Sequence, residues 1–108
     1  MAYQIEWLEE TEAELKVFSK SFRMTIKRKV EKIASGIPET LKLSSIQLIR
    51  GQQGLAIQGR LYELDIGSGA RAAFVINVDK QTLTVYMVGT HDYAYENYLK
   101  SAAKRLGP

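Results

Sequence analysis

Apolar and polar residues alternate near the start of the chain. Tyr3, Ile5 and Trp7 fall on one face of Tyr3-Gln4-Ile5-Glu6-Trp7, the period of a short strand. The period then lengthens. Leu15, Phe18 and Phe22 recur at helical spacing, and Phe22, Ile26, Val30 and Ile33 continue the stripe. Thr11 followed by Glu14 is a capping-box pattern, which predicts a helix start at Thr11, and the acids around it suit a helix N-terminus electrostatically. Ser19-Lys20-Ser21 interrupts the stripe and divides it into a helical hairpin. Ser35-Gly36-Ile37-Pro38 ends it, with a glycine for a left-handed C-terminal residue and then a proline that cannot continue a helix.

From Glu39 to Gly59 the pattern weakens. Leu41, Leu43, Ile46, Leu48 and Ile49 fit a short helix or an irregular packed segment, and Gly51-Gln52-Gln53-Gly54 is a turn signal. Some local structure is expected, since a long structureless loop is unusual in a small domain; its type stays unassigned.

Alternation returns over Leu61 to Ile66, with Tyr62, Leu64 and Ile66 on one face and Leu61, Glu63 and Asp65 on the other. Gly67-Ser68-Gly69-Ala70 turns the chain into a second strand, Arg71 to Val78, and Asp79-Lys80-Gln81 turns it into a third, Leu83 to Val88. Short connections favour an antiparallel meander. A helix follows from Asp92 to Leu106, with Asp92 as N-cap and Lys100, Lys104 and Arg105 suiting its C-terminal half. Strand, two helices, three strands and a helix make an α+β fold, in one domain spanning 1–108.

Composition narrows the function classes. The chain has 108 residues, 45% hydrophobic and 25% charged, the make-up of an ordinary globular domain. It has no cysteine and one histidine, so no credible metal site is expected, and Gly67-Ser68-Gly69 is too short and wrongly placed for a phosphate loop; no cofactor is expected. The N-terminus carries neither a basic region nor an apolar core, and no run approaches the ~18 apolar residues of a membrane span, so a cytoplasmic protein without a membrane partner is expected.

Charge is distributed unevenly. Residues 1–14 carry five acids and no base, whereas 16–60 carry ten bases against Glu31 and Glu39, a balance of 10 − 2 = +8. Such polarity attracts polyanions if the bases share a face. If they merely solvate helix exteriors, it means little.

The element order, with Gly59-Arg60-Leu61-Tyr62-Glu63-Leu64-Asp65-Ile66-Gly67, then Arg71, then Val88-Gly89-Thr90-His91-Asp92-Tyr93-Ala94-Tyr95, resembles the RelE/ParE superfamily of toxins from type II toxin–antitoxin pairs. The resemblance covers nearly the whole chain and rests on the order of short, degenerate motifs. It implies a RelE-like fold, a cognate antitoxin protein as partner, and ribosome-dependent cleavage of mRNA through the RNA's own 2′-hydroxyl. The chain also departs from the family: Asp65 stands where many members carry arginine, and the bases before that strand thin to Lys42, Arg50 and Arg60.

Cleavage of that kind needs a proton acceptor, a proton donor and cations for the phosphorane. Imidazole titrates near neutrality, which makes His91 the candidate general acid or base, with Asp92 to orient it. Arg71 can hold a phosphate oxygen through its planar fork of donors. Tyr95 or Tyr93 can position the phosphate or stack on a splayed base. Lys27, Arg28, Lys42, Arg50 and Arg60 would contact phosphates without specificity. Plainer roles compete: Asp92 as a helix cap, His91 as a solvated residue, Tyr93, Tyr95 and Tyr98 as packing, and Arg71 paired with Asp65 across the hairpin. The alternative functions are a ParE-like toxin that binds DNA gyrase without nuclease chemistry, or a family member that has lost cleavage.

Overall fold

The structure, a computed structural model, describes residues 2–107. Strand β1 (Gln4–Trp7) leads into helices α1 (Glu9–Leu15) and α2 (Lys20–Ser35). A short strand β2 (Ile46–Leu48) precedes the long strands β3 (Arg60–Gly67), β4 (Ala70–Asn77) and β5 (Thr82–Thr90), and helix α3 (His91–Leu106) closes the fold. The five strands form one sheet in the order β1-β5-β4-β3-β2. The meander β3-β4-β5 is antiparallel as expected, and β1 joins it parallel to β5, with Ile5 opposite Leu83.

Each face of the sheet buries a core. Leu64, Ile66, Ala72, Phe74, Ile76, Leu83 and Val85 pack against Leu15, Ile26, Val30 and Ile33 of the helical hairpin, with Tyr3, Ile5 and Trp7 alongside. Leu61, Ala73, Val75, Tyr86 and Met87 pack against Ala94, Tyr98 and Ala102 of α3. Tyr86 and Met87 are consecutive yet share a face. The register between β4 and β5 slips at this point, with Ala73 opposite Met87 and Phe74 opposite Val85, so Tyr86 is the extra residue of a bulge. Its buried hydroxyl donates to the Tyr98 carbonyl at 3.0 Å.

The hairpin starts earlier than the capping-box pattern predicts. Leu8 occupies the N-cap position of α1 without a side-chain cap, and Thr11 lies inside the helix, fully buried. The Thr11 hydroxyl donates instead to the Val85 carbonyl at 2.9 Å, and the Glu14 carboxylate accepts from the Val88 N–H at 3.2 Å. Both groups lie at or beyond the end of the β1 pairing, which stops at Trp7 opposite Val85. Helix α1 thus continues with side chains the ladder that β1 leaves unfinished. Ser19 caps α2 by accepting from the Phe22 N–H at 3.2 Å.

Gly36 does end α2, but at φ −125° rather than in the left-handed region. Its glycine has a packing reason: a Cβ there would lie 2.7 Å from the Thr40 methyl. The unassigned segment resolves into 3-10 turns at Glu39–Lys42 and Gln52–Gly54 around β2. Gln52 secures it, since its side-chain amide bonds both the Leu61 N–H, at 2.8 Å, and the Leu61 carbonyl, at 3.0 Å. Among the described residues no helix is long and apolar enough to cross a membrane.

Candidate nucleic-acid interface

Strands β3 and β5 end, and β4 and α3 begin, at one rim of the sheet. Arg71 of β4 stands between Asp65 of β3 and Gly89 of β5 in the ladder, on the face that α3 covers. Its guanidinium meets the Asp65 carboxylate at 2.9 Å, and Asp65 also accepts from the Gly67 N–H at 3.0 Å. The salt bridge anticipated for this hairpin therefore forms. The α3 N-terminus is tied to the same rim by the His91 N–H, which donates to the Gly69 carbonyl at 2.8 Å.

Asp92 does not cap α3. Thr90 holds the N-cap position with no side-chain cap, and the helix already includes His91. Because His91 and Asp92 are consecutive helical residues, their side chains meet sideways, Nδ1 to carboxylate at 3.2 Å, with the Asp92 side chain 99% exposed. Such an exposed acid can bias the imidazole without fixing it. Tyr95, one turn on, sets its ring 5.8 Å from the His91 ring and is 72% exposed. An exposed aromatic beside an exposed histidine, on a helix whose other side is buried, is a surface suited to stacking.

Tyr98 follows on the inner side of α3. It is buried, in line with the packing reading. Burial raises the Tyr98 phenol pKa well above its ordinary value, and the charge and hydrogen bonding of Glu63 raise it further. Beyond Tyr98, a groove of about 720 Å³ opens between β2–β3 and α3, lined by Arg50, Glu63, Tyr95, Tyr98, Leu99 and Lys100 among others.

Tyr93 turns away from this groove. The absence of a side chain at Gly89 admits its ring, since a Cβ there would lie 2.5 Å from it. Its hydroxyl donates to Glu14 at 2.8 Å. Arg105 reaches the same carboxylate with two nitrogens, at 2.9 and 3.2 Å, and donates to the Tyr86 carbonyl at 2.7 Å. That pair is largely shielded, 14% and 16% exposed, and fastens α3 to α1 and β5.

The basic residues do not gather on one face. Lys27 lies over the Trp7 ring at 5.4 Å and pairs with Glu12 at 3.5 Å, and the exposed Arg28 is also on α2, across the sheet from α3. Lys42 pairs with Glu39 at 3.5 Å, and Arg60 opens β3 at the end remote from Asp65. Of the five, Arg50 alone lines the groove with Tyr95. The structure thus joins Arg71, His91, Asp92, Tyr95 and Arg50 along one side and leaves Lys27, Arg28, Lys42, Arg60 and Tyr93 elsewhere. Glu63, Tyr98 and Lys100 enter the site without having been singled out. The inward alternation of Glu63 with Leu61 and Asp65 was the available signal for the first.

Neither a protein-family model nor a curated protein matches the sequence. Solved structures do. A free-state double mutant of the E. coli toxin RelE is similar at TM-score 0.70 and 21% identity, over 98% of this chain and 100% of that one. The archaeal RelE–RelB complex from Pyrococcus horikoshii matches at TM-score 0.67 and 12% identity, over 84% and 97%. The intact E. coli RelBE toxin–antitoxin complex matches at TM-score 0.57 and 25% identity, over 82% and 96%. By this likeness across nearly the full length of both partners, the chain has the fold of the RelE toxins.

Proposed function

We propose that this protein is the toxin of a type II toxin–antitoxin pair and cleaves mRNA on the ribosome by attack of the 2′-hydroxyl. The observation that carries this reading is the His91–Tyr95 ring pair, which stands exposed on a RelE fold beside the rim that holds Arg71. Such a site offers one proton-transfer group, a cation and a stacking surface, and leaves the second proton transfer to the ribosome or to water. His91 can move a proton at the 2′ or the 5′ oxygen, Arg71 can take the phosphorane charge, and Tyr95 can hold a splayed nucleotide. RelE chains in similar structures are bound to RelB, which supports a cognate antitoxin as the partner here. The test is primer extension on messages from cells, or from a reconstituted translation system, carrying wild type, His91→Ala or Arg71→Ala. Codon-phased cuts that disappear in the variants support the reading.

A second reading, loss of cleavage, is favoured by one observation: Arg71 is already engaged by Asp65 at 2.9 Å. A toxin of that kind would act through binding alone, on the ribosome or on another target such as DNA gyrase. Growth arrest with intact message and unchanged supercoiling in vitro would point to the ribosome. Inhibited supercoiling would point to gyrase.

A further inference from the structure

We infer that the groove between β2–β3 and α3 is a guanine-reading pocket, in which Glu63 receives the base edge and Tyr95 stacks on its face. The inference rests on the reading of this side as an RNA site and adds a base preference to it.

Three features carry it. Glu63 projects from the middle of β3 onto the α3 side and is half-buried in the groove, where no cation pairs with it among the described residues. An ionised carboxylate accepts hydrogen bonds and cannot donate them. Tyr95, on the same groove, is 72% exposed, which leaves an aromatic face free for stacking. Arg50 and Lys100 also line the groove and offset the repulsion between Glu63 and RNA phosphates.

A carboxylate at the end of a stacking slot selects by donor pattern. Guanine presents two adjacent donors, N1–H and the N2 amino group, which match the two carboxylate oxygens. Adenine and cytosine each place an acceptor nitrogen beside their amino group, so one oxygen meets a lone pair. Uracil offers one N–H flanked by carbonyls. Guanine alone satisfies both oxygens. Tyr98 lines the same groove as Glu63 and closes it on the protein side. No covalent step is involved in this recognition.

The test is direct binding, independent of cleavage: chemical-shift titration of the intact protein with the dinucleotides GpA, ApA and IpA, repeated with Glu63→Gln and Tyr95→Ala. The expected result is that GpA binds about tenfold or more tighter than ApA. IpA, which keeps N1–H and lacks the amino group, falls between them. Glu63→Gln, nearly isosteric, abolishes the preference while keeping the wild-type melting temperature, and Tyr95→Ala weakens all three ligands together. Equal binding of GpA and ApA by wild type, or an unaltered preference in Glu63→Gln, overturns the inference. Guanine-selective binding without message cleavage on ribosomes leaves the inference standing and removes only the nuclease reading.

Discussion

Asp65 holds Arg71 at 2.9 Å across the β3–β4 hairpin, in the ladder position where the two residues face each other directly. The Asp65 side chain is 52% exposed and that of Arg71 22%. An ion pair this open to solvent contributes at most about 1 kcal/mol. An incoming phosphate can therefore displace Asp65 at small cost. Asp65→Asn keeps an oxygen for the Gly67 N–H and removes the competing charge. It should raise RNA affinity up to about fivefold, by filter binding at fixed salt, and alter stability by less than about 1 kcal/mol. Weaker binding in Asp65→Asn would mean that the acid helps rather than competes.

Glu14 and Arg105 form the fastening of the C-terminal helix. Glu14 accepts from Arg105, Tyr93 and the Val88 N–H, so its removal strands several donors at once. Glu14→Ala should cost about 3 kcal/mol, at the lower end for a shielded pair, and lower the melting temperature by roughly 10–20 °C. Thermal unfolding followed by circular dichroism measures it. A loss under about 1 kcal/mol would show that α3 is held by its apolar contacts alone.

Thr11 has its own signature. Its buried hydroxyl serves the Val85 carbonyl at the end of the β1 pairing. Thr11→Val keeps the shape and leaves that carbonyl only the longer bond from the Leu8 N–H, at 3.4 Å, at an expected cost of about 1 kcal/mol in urea titration. Thr11→Ser, which retains the hydroxyl, should recover part of the loss. If Thr11→Val is as stable as wild type, the hydroxyl is not completing the ladder.

Tyrosine burial makes stability fall in alkali. Burial is the chief cause that raises the phenols of both Tyr86 and Tyr98 above their ordinary pKa. Above about pH 10 the unfolded chain loses these protons while the folded chain keeps them. The unfolded state then binds fewer protons, so the stability these groups contribute is full below pH 10 and declines as pH rises toward the folded values. The slope is up to about 1.4 kcal/mol per pH unit for each tyrosine. Urea midpoints between pH 9 and 11 should show this decline, and Tyr86→Phe should reduce its slope. A flat profile would contradict the burial of these hydroxyls.

Periodicity made the helical hairpin, the β3-β4-β5 meander and the closing helix legible in the sequence, because each buries a continuous face. What it missed depended on partners distant in sequence. Thr11 and Glu14 have the spacing of a capping box, but the open edge of β5 offers them a carbonyl and an N–H that outcompete local capping. The parallel pairing of β1 with β5 joins residues nearly eighty positions apart, and no local pattern announces it. Strand β2 is only three residues long, too short for alternation to register. Asp92 is a good cap by type, yet the N-cap position falls at Thr90 because the chain stays extended through β5 to that residue. The same holds for the site. His91, Tyr95 and Arg71 stand out by residue type and motif order, whereas Glu63 becomes significant only once the groove surrounds it. Basic residues, counted along the chain as one block, separate in space because α2, β2 and β3 place them on different sides.

The most direct test is mRNA mapping on ribosomes programmed in vitro with a defined message, comparing wild type with His91→Ala. Cuts at a fixed position within the A-site codon, reduced at least about a hundredfold in His91→Ala while the variant keeps its fold, are the predicted result. Intact message with active, correctly folded wild type, or equal cutting by His91→Ala, would contradict the assignment of chemistry to this rim.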